Sequence, residues 1–259
     1  VLTGAALANR SLLYLGVSGD GDSASIGLGQ FAHLMRRGVN MTYIVENNGV
    51  YGLTKGQFSA TADKGSKSKK GVINSDSPID LAALALQIGA TYVARSFSGD
   101  KEQMVPLIKG AIEHGGAAFI DIISPCVTFN NHDSSTKSYK NVKDHDVPLH
   151  ELGFIQFAEL EQVEIPAGEA QTVTFPDGSK VTFRALREDH DPTDRMGAMK
   201  AIHESHDRGE FLTGLLYINP GRPDFNTLLD SVDSPLCHLD LESVKPGREV
   251  LAKIMDELT

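Results

Sequence analysis

The sequence predicts an α/β fold in which a parallel sheet is flanked by helices. Short apolar runs alternate with amphipathic helical stretches through the first half of the chain, an order typical of such sheets. The first apolar run, residues 11–17, is almost uninterrupted and predicts a strand buried on both faces. The second half changes character and predicts a smaller α/β extension. We therefore expect one domain over residues 1–150 and an extension over 151–259 that serves contacts between subunits.

The periodicity of the apolar residues predicts the individual elements. The helix expected over 23–37 places Ile26, Phe31, Leu34 and Met35 on one side. The remaining expectations, in chain order, are a helix over 1–9, a strand over 41–45, an exposed polar loop or lid over 61–70, a helix over 80–88, a strand over 92–97, a helix over 101–114, a strand over 117–123, a β-meander over 162–187, mostly helix over 192–217 and a helix over 244–258.

Turn and cap residues delimit several of these elements. The helix over 80–88 opens at Asp80 and closes at Gly89, and the next helix ends at Gly115 and Gly116. A Pro-Asp-Gly turn at 176–178 separates two alternating stretches, which is typical of a hairpin.

Composition excludes several classes of protein. The 259 residues carry a net charge of −10, which disfavours binding to nucleic acid or to an anionic membrane surface. No apolar run approaches the roughly 18 residues that a membrane-spanning helix needs. Two cysteines do not make a disulfide framework, so we expect a reducing compartment, the cytoplasm. Because the chain begins with Val1 inside a predicted helix, we expect it to be part of a longer gene product.

Two short motifs follow neighbouring predicted strands. Residues 19–22 read Gly-Asp-Gly-Asp, and residues 47–52 read Asn-Asn-Gly-Val-Tyr-Gly. Parallel strands present their carboxyl ends at one edge of a sheet, so Asp20 and Asn48 are expected to meet there. A carboxylate and an amide oxygen, with a nearby backbone carbonyl, suit a Mg²⁺ that also holds a diphosphate. The alternative is that the first motif is only a strand-to-helix turn.

The residues around the two motifs favour a phosphate-binding interpretation. Glycines at 19, 21, 49 and 52 allow close approach of the backbone and tolerate positive φ. Ser23 is predicted to begin a helix whose first N–H groups face the anion.

Three strings taken together resemble the β subunit of 2-oxoacid:ferredoxin oxidoreductases over roughly residues 1–150. They are Gly-Asp-Gly-Asp at 19–22, Asn-Asn-Gly-Val-Tyr-Gly-Leu-Thr-Lys-Gly-Gln at 47–57 and Ser-Pro-Cys-Val-Thr-Phe-Asn at 124–130. The resemblance implies the thiamine diphosphate-binding fold, with thiamine diphosphate, Mg²⁺ and a [4Fe–4S] cluster as cofactors. It also implies an α subunit that supplies the glutamate needed by the thiamine ring, because no such glutamate is evident in this chain.

The resemblance also assigns individual residues. Lys55 is implied to contact the 2-oxoacid carboxylate, and Cys126 is implied to be the isolated fourth ligand of the cluster. The other three cluster cysteines are absent from this sequence, so either an upstream segment carries them or the cluster has been lost. The implied ligands of Mg²⁺ are the side chains of Asp20 and Asn48 and the carbonyl of Val50, and the implied cofactor-binding residues are Gly19, Gly21, Asp22, Gly52 and Leu53.

The implied activity is oxidative decarboxylation of a 2-oxoacid with coenzyme A, with electrons passing through the cluster to ferredoxin. We favour 2-oxoglutarate as the substrate and a dimer of heterodimers as the assembly. Two alternatives stay open. One is a cluster-free thiamine diphosphate decarboxylase or an acetolactate-synthase-like enzyme, which iron and sulfide analysis would separate. The other is a non-catalytic scaffold protein, which would bind no cofactor.

Two other features are predicted to lack a chemical role. His203 and His206 are three residues apart and lack the spacing of a zinc-protease helix, so we interpret them as a solvated helix face. Cys237 has no motif around it and is predicted to be structural.

Overall fold

A computed structural model describes residues 1–66, 68, 71–124, 165–174, 180–185, 190–245 and 247–258. A seven-stranded sheet and a separate two-stranded hairpin are surrounded by helices. The strands are β1 (Leu15–Gly19), β2 (Met41–Asn47), β3 (Val50–Tyr51), β4 (Gln57–Phe58), β5 (Tyr92–Phe97), β6 (Ala117–Ile123), β7 (Ala170–Thr174), β8 (Lys180–Ala185) and β9 (Glu210–Ile218).

The helices connect these strands in the order that the sequence predicts for the first half. They are α1 (Leu2–Ala8), α2 (Leu28–Arg37), α3 (Leu81–Ile88), α4 (Lys101–Glu113), α5 (Arg195–Asp207), α6 (Phe225–Leu228), α7 (Leu241–Val244) and α8 (Arg248–Glu257). A π-helical segment, Gly21–Ile26, links β1 to α2, and a 3₁₀ turn, Leu236–His238, precedes α7. No helix among the described residues has both the length and the apolar character to cross a bilayer.

The large sheet has the strand order β1-β2-β6-β5-β9-β8-β7. The first four strands in that order are parallel to one another, and β8 is parallel to β9. Antiparallel pairing occurs between β5 and β9 and between β7 and β8. The predicted α/β fold with a mostly parallel sheet is therefore confirmed. Because β9 pairs directly with β5, strands from the second half continue the same sheet; the proposed division after residue 150 falls among residues that the structure does not describe.

Apolar side chains cover both faces of the central strands of this sheet. Helices α2, α3 and α5 contribute to a core on one face, where Phe31 packs edge-to-face on Phe119 with ring centroids 5.0 Å apart. The other face is covered by α4, whose Ala111 is buried with Tyr92 and Ile120. This two-sided burial explains why β5 and β6 are buried at every position.

Several predicted elements are confirmed with nearly the expected bounds. These are α1, β2, α3 with Asp80 as its N-cap and Gly89 as its left-handed C-cap, β5, α4 and β6. The terminal helix is present but is divided into α7 and α8. The predicted meander is confirmed for the β7–β8 pair, although β8 then runs parallel to β9. The turn at 176–178 lies outside the described residues.

Three predictions were wrong. The first strand is not buried on both faces, because β1 is at the edge of the sheet and Leu15 and Val17 are 52% and 58% exposed. The helix expected over 23–37 is interrupted at Gly27, where the π-helical segment ends; Phe31, Leu34 and Met35 are buried as expected, whereas Ile26 is exposed. The second half of 192–217 is strand β9 rather than helix.

Candidate cofactor and metal site

Asp20 and Asn48 meet at the carboxyl edge of the sheet. Each residue directly follows its strand, and β1 and β2 are adjacent and parallel, with Gly19 opposite Glu46. The backbone N–H of Asn48 donates to Asp20 Oδ1 at 3.2 Å, and that of Gly49 donates to Asp20 Oδ2 at 3.1 Å. The two motifs are thus joined directly through the carboxylate.

The carboxylate of Asp20 is buried and its two oxygens are used unequally. Oδ2 also accepts hydrogen bonds from the hydroxyls of Thr61, at 2.6 Å, and of Ser59. Oδ1 accepts only the Asn48 amide among the hydrogen bonds of the described residues. A carboxylate oxygen has two lone-pair sites, so Oδ1 keeps capacity for a metal ion.

Asn48 and Val50 form a tight turn between β2 and β3. The Asn48 side-chain carbonyl accepts the Val50 N–H at 3.1 Å, which leaves its second lone pair available. Gly49 has φ of +75°, a left-handed conformation that residues with a Cβ rarely adopt. Of the four motif glycines that can tolerate positive φ, Gly49 adopts it, and those at 19, 21 and 52 do not.

Gly21 is required for another reason. A Cβ at this position would lie 2.5 Å from the Tyr51 ring, whose hydroxyl donates to the Gly21 carbonyl at 2.8 Å. Glycine therefore lets the second motif pack on the first. The helical segment begins at Gly21, two residues before the predicted start at Ser23, and Asp22 is exposed on its first turn.

The tip of the β3–β4 hairpin carries three predicted site residues. Leu53 is 97% exposed, Lys55 is exposed and Gly52 is partly exposed. The turn is closed by hydrogen bonds from Lys55 N to Gly52 O and from Gly56 N to Tyr51 O. Lys55 has φ of +76°, a left-handed conformation that is uncommon for a residue other than glycine and that recurs at functional sites. The ammonium group thus projects from a rigid turn that is tied to the motif residue Tyr51.

The oxygen atoms at this edge fit a magnesium ion bound together with phosphate. Mg²⁺ usually takes one or two protein carboxylates and completes its shell with substrate oxygens and water. Asp20 provides the carboxylate, Asn48 an amide oxygen and Val50 a backbone carbonyl. The described residues contain no cluster of three or more histidine, cysteine, aspartate or glutamate side chains placed for metal binding, but a site of this type does not need one.

Other sequence predictions have different outcomes. Cys126 lies outside the described residues, so its assignment stays a prediction. Cys237 is an exposed free thiol. The loop expected over 61–70 is not simply exposed, since Thr61 binds Asp20 and Ala62 is buried. His203 and His206 are both exposed, as the solvated-face interpretation expects, and His206 Nε2 additionally lies 2.8 Å from Asp80 Oδ2.

A buried charge network lies beside the motif residues. Asn47 Nδ2 donates to Asp121 Oδ1 at 3.0 Å, and Arg95 Nε donates to Asp121 Oδ2 at 2.9 Å. Arg95 Nη2 donates to both oxygens of Asp80 at 2.7 Å. Asp80 in turn contacts His206 on α5. The side chains of Arg95 and Asp121 are 2% and 1% exposed, so these groups exchange hydrogen bonds with one another rather than with water.

Burial and the neighbouring charges together shift the pKa values of Asp80, Arg95 and Asp121. Burial raises the pKa of the Asp121 carboxyl, and the Arg95 charge offsets only part of that effect. Burial acts in the same direction on Asp80, but attraction by Arg95 and a hydrogen bond from His206 outweigh it and hold the pKa of Asp80 well below its ordinary value. Burial lowers the pKa of Arg95, yet Asp80 and Asp121 together raise it above its ordinary value. Arg95 therefore stays charged.

Sequence reasoning missed Ser59, Thr61 and this network. Arg95 and Asp121 each interrupt an apolar run, and the register of the sheet places them opposite each other. A single charge inside each of two predicted buried strands was the available signal, since buried charges need a partner. The hydroxyls of Ser59 and Thr61 could not be identified as site groups from the sequence, because Ser and Thr are common in exposed loops.

The fold and a family match place this chain among thiamine diphosphate-binding enzyme domains. The family "Thiamine pyrophosphate enzyme, C-terminal TPP binding domain" matches residues 1–122, and the family of the C-terminal part of the pyruvate ferredoxin oxidoreductase β chain matches residues 180–234. A solved structure, 2-oxoglutarate:ferredoxin oxidoreductase from Magnetococcus marinus with 2-oxoglutarate, coenzyme A and succinyl-CoA bound, is similar with a TM-score of 0.68 and 30% identity, over 97% of this chain and 71% of that one. The chain belongs to the family of 2-oxoacid:ferredoxin oxidoreductase β subunits.

Two curated relatives support this assignment. The 2-oxoacid:ferredoxin oxidoreductase subunit beta of Saccharolobus solfataricus is 49% identical over 139 residues, which are 52% of this chain and 44% of the relative. The 2-oxoglutarate synthase subunit KorB of Methanocaldococcus jannaschii is 35% identical over 165 residues, 62% of this chain and 61% of the relative. The chain spans about half the length of the curated relatives that it matches.

Proposed function

We propose that this chain is the catalytic β subunit of a 2-oxoacid:ferredoxin oxidoreductase. In this role it would bind Mg²⁺ and thiamine diphosphate and convert a 2-oxoacid and coenzyme A to acyl-CoA and CO₂, with electrons passing through a [4Fe–4S] cluster to ferredoxin. The observation that carries the proposal is the junction of the two motifs at Asp20, where a buried carboxylate keeps one oxygen with spare capacity beside Asn48.

The proposed role of the motif residues is to hold the metal ion and the cofactor and to orient the substrate. In this proposal Asp20, Asn48 and the Val50 carbonyl bind the metal ion, and Gly19, Gly21, Asp22, Gly52 and Leu53 contact the cofactor. Thiamine diphosphate, when bound, supplies the electron sink for decarboxylation. Lys55 carries a positive charge on a fixed turn, which suits it to orient the carboxylate of the substrate.

The substrate that we favour is 2-oxoglutarate. The similar Magnetococcus marinus structure holds 2-oxoglutarate, coenzyme A and succinyl-CoA, and the Methanocaldococcus jannaschii relative is named a 2-oxoglutarate synthase subunit. A second carboxylate distinguishes 2-oxoglutarate from pyruvate and from branched 2-oxoacids. The proposal therefore predicts a kcat/KM preference for the dicarboxylic acid.

The proposed partner is an α subunit that packs against the uncovered side of β1. Leu13, just before this edge strand, and Leu15 and Val17 within it recur at every second position and are 80%, 52% and 58% exposed, and Ile26 nearby is 80% exposed. Apolar side chains grouped in this way mark protein interfaces. Cys126 is the proposed cluster ligand, and two such heterodimers would form the assembly. A reducing cytoplasm fits a free thiol and an iron–sulfur cluster.

The activity is tested on the full-length protein purified anaerobically with its α partner. Ferredoxin or dye reduction is measured with 2-oxoglutarate, pyruvate and a branched 2-oxoacid, each with and without coenzyme A, and iron and sulfide are quantified on the same sample. Reduction that depends on coenzyme A and a 2-oxoacid supports the proposal. Decarboxylation without iron, or no cofactor binding at all, would favour one of the two alternative classes.

Asp20→Asn provides the direct test of the metal site. In the wild-type complex, Mg²⁺ and thiamine diphosphate at about 100 times Kd should raise Tm by roughly 5–10 °C, the shift expected for about 2.7 kcal/mol of binding linkage. The variant keeps the shape of the side chain and loses its charge, so this shift should disappear. Asp233→Asn, on a side chain 96% exposed, serves as the control and should keep the shift. An unchanged shift in Asp20→Asn would refute the assignment.

A further inference from the structure

The Asp20 carboxylate is held in one orientation by the segment after β4. Thr61 Oγ1 donates to Oδ2 at 2.6 Å, and the Ser59 hydroxyl binds the same oxygen. Together with the Gly49 amide, three donors converge on Oδ2, whereas Oδ1 accepts one backbone amide. This asymmetry fixes the carboxylate by one oxygen and presents the other to a cation.

The Thr61 hydroxyl also lies within hydrogen-bond distance of the side-chain carbonyl of Asn47. The Thr61 hydroxyl has one proton, and Asn47 Oδ1 lies 3.0 Å from Oγ1, within reach of that proton as a second acceptor. The amide of Asn47 cannot turn freely, because its Nδ2 donates to the buried carboxylate of Asp121. Thr61 therefore joins the metal-binding carboxylate to a side chain with a defined orientation.

The anchor behind Asn47 is the buried network described above. Arg95 fixes Asp121 from β5 and is itself fixed by both oxygens of Asp80 at the start of α3. Buried side chains held in this way cannot relax toward water, whether or not a metal ion is bound. The network therefore holds Asn47, and through it Thr61, in a defined position.

We propose that Thr61 is a positioning residue for the metal ion, acting through Asp20 and anchored by Asn47 and Asp121. The inference rests on the proposed function, because it requires Asp20 to ligate Mg²⁺. Partners of metal ligands typically change metal affinity by about 10–100-fold when they are lost. Removing the Thr61 hydroxyl should therefore weaken Mg²⁺ binding by about tenfold or more and leave the fold intact.

The test compares Thr61→Val with Thr61→Ser in the full-length complex. Valine matches threonine in shape and lacks the hydroxyl, and serine keeps it. At saturating thiamine diphosphate, the Mg²⁺ concentration that gives half of the maximal thermal shift should rise about tenfold or more in Thr61→Val and return to within about threefold of wild type in Thr61→Ser. The Tm without ligands should stay near that of the wild type. At saturating Mg²⁺ and cofactor, KM for the 2-oxoacid should be unchanged.

The control is Thr172→Val, since the Thr172 hydroxyl pairs with that of Thr182 on the exposed part of the sheet, far along the strand order from β1. If Thr61→Val does not fold, Thr61→Ala is measured in the same titration. A wild-type Mg²⁺ titration curve in the hydroxyl-free variant would overturn the inference while leaving the proposed function standing. A wild-type complex with no thermal response to Mg²⁺ and thiamine diphosphate would instead overturn the proposed function.

Discussion

Lys55 combines a left-handed backbone with an exposed charge at the tip of the β3–β4 hairpin. Glycine at such a position would relieve the strain, and a lysine kept there supports the proposed role of its ammonium group. Lys55→Met should raise KM for the 2-oxoacid by about 10–100-fold, the loss expected for a hydrogen bond to a charged group. The thermal shift caused by Mg²⁺ and thiamine diphosphate should be unchanged, because the proposed function assigns Lys55 to the substrate and not to either of these ligands.

Lys64→Met is the matched control, since Lys64 is also an exposed lysine in the polar segment that follows the site. Steady-state kinetics with the 2-oxoacid varied would show wild-type KM in this control. Equal KM values in the two variants would remove Lys55 from the substrate site.

At the scale of single residues, one part of the site could be predicted from the sequence and another part could not. Asp20 and Asn48 could be paired because glycine-rich motifs directly follow two strands, and the parallel sheet brings such positions together. Thr61 could not be paired with them, since its approach depends on how the hairpin folds back after Gln57. No local periodicity encodes that return.

At the scale of elements, the buried guanidinium of Arg95 on β5 stabilises the packing of this strand beside β6. Arg95 is buried between Asp80 and Asp121, and its guanidinium lies 5.9 Å from the centre of the Phe211 ring on β9. Removal of one partner of a buried ion pair leaves uncompensated charge. Arg95→Met should therefore lower the free energy of unfolding by about 3–5 kcal/mol, measured by urea unfolding at neutral pH.

Lys200→Met is the control for Arg95→Met. Lys200 is 77% exposed and pairs with Glu204 along α5 at 3.7 Å, so its loss should cost about 0.5 kcal/mol or less. A loss below about 1 kcal/mol in Arg95→Met would mean that the two aspartates are neutralised or solvated in its absence.

The elements of the first half were predictable because each has its own signal. Asp80 and Gly89 delimit α3, and the largely apolar runs of β5 and β6 match strands buried by helices on both sides. β9 was missed because it was grouped with the helical stretch before it. Strand β9 pairs with β5, which lies more than about 100 residues earlier in the chain. Only tertiary pairing therefore places β9 in the sheet.

At the scale of the whole molecule, the β1 edge of the sheet combines a polar end with an uncovered apolar stripe. The motif residues occupy the carboxyl end of β1, and the exposed side chains of Leu13, Leu15 and Val17 form the stripe beside them. Val17 is opposite Ile44, whose side chain belongs to the core under α4, so the exposed stripe continues a buried apolar surface. A partner covering this stripe would also close the cofactor site from one side.

This arrangement predicts that Val17→Glu prevents assembly with the α subunit and leaves the folding of this chain intact. A charge on a half-exposed edge position costs the isolated chain little, whereas burial of an unpaired charge in an interface is strongly unfavourable. The variant should keep its circular dichroism spectrum and Tm within about 2 °C, yet fail to co-purify with the α subunit and lose activity. Met196→Glu, at an exposed apolar position on α5, is the control and should assemble normally. Full assembly of Val17→Glu would place the α–β interface elsewhere and leave the exposure of β1 without this explanation.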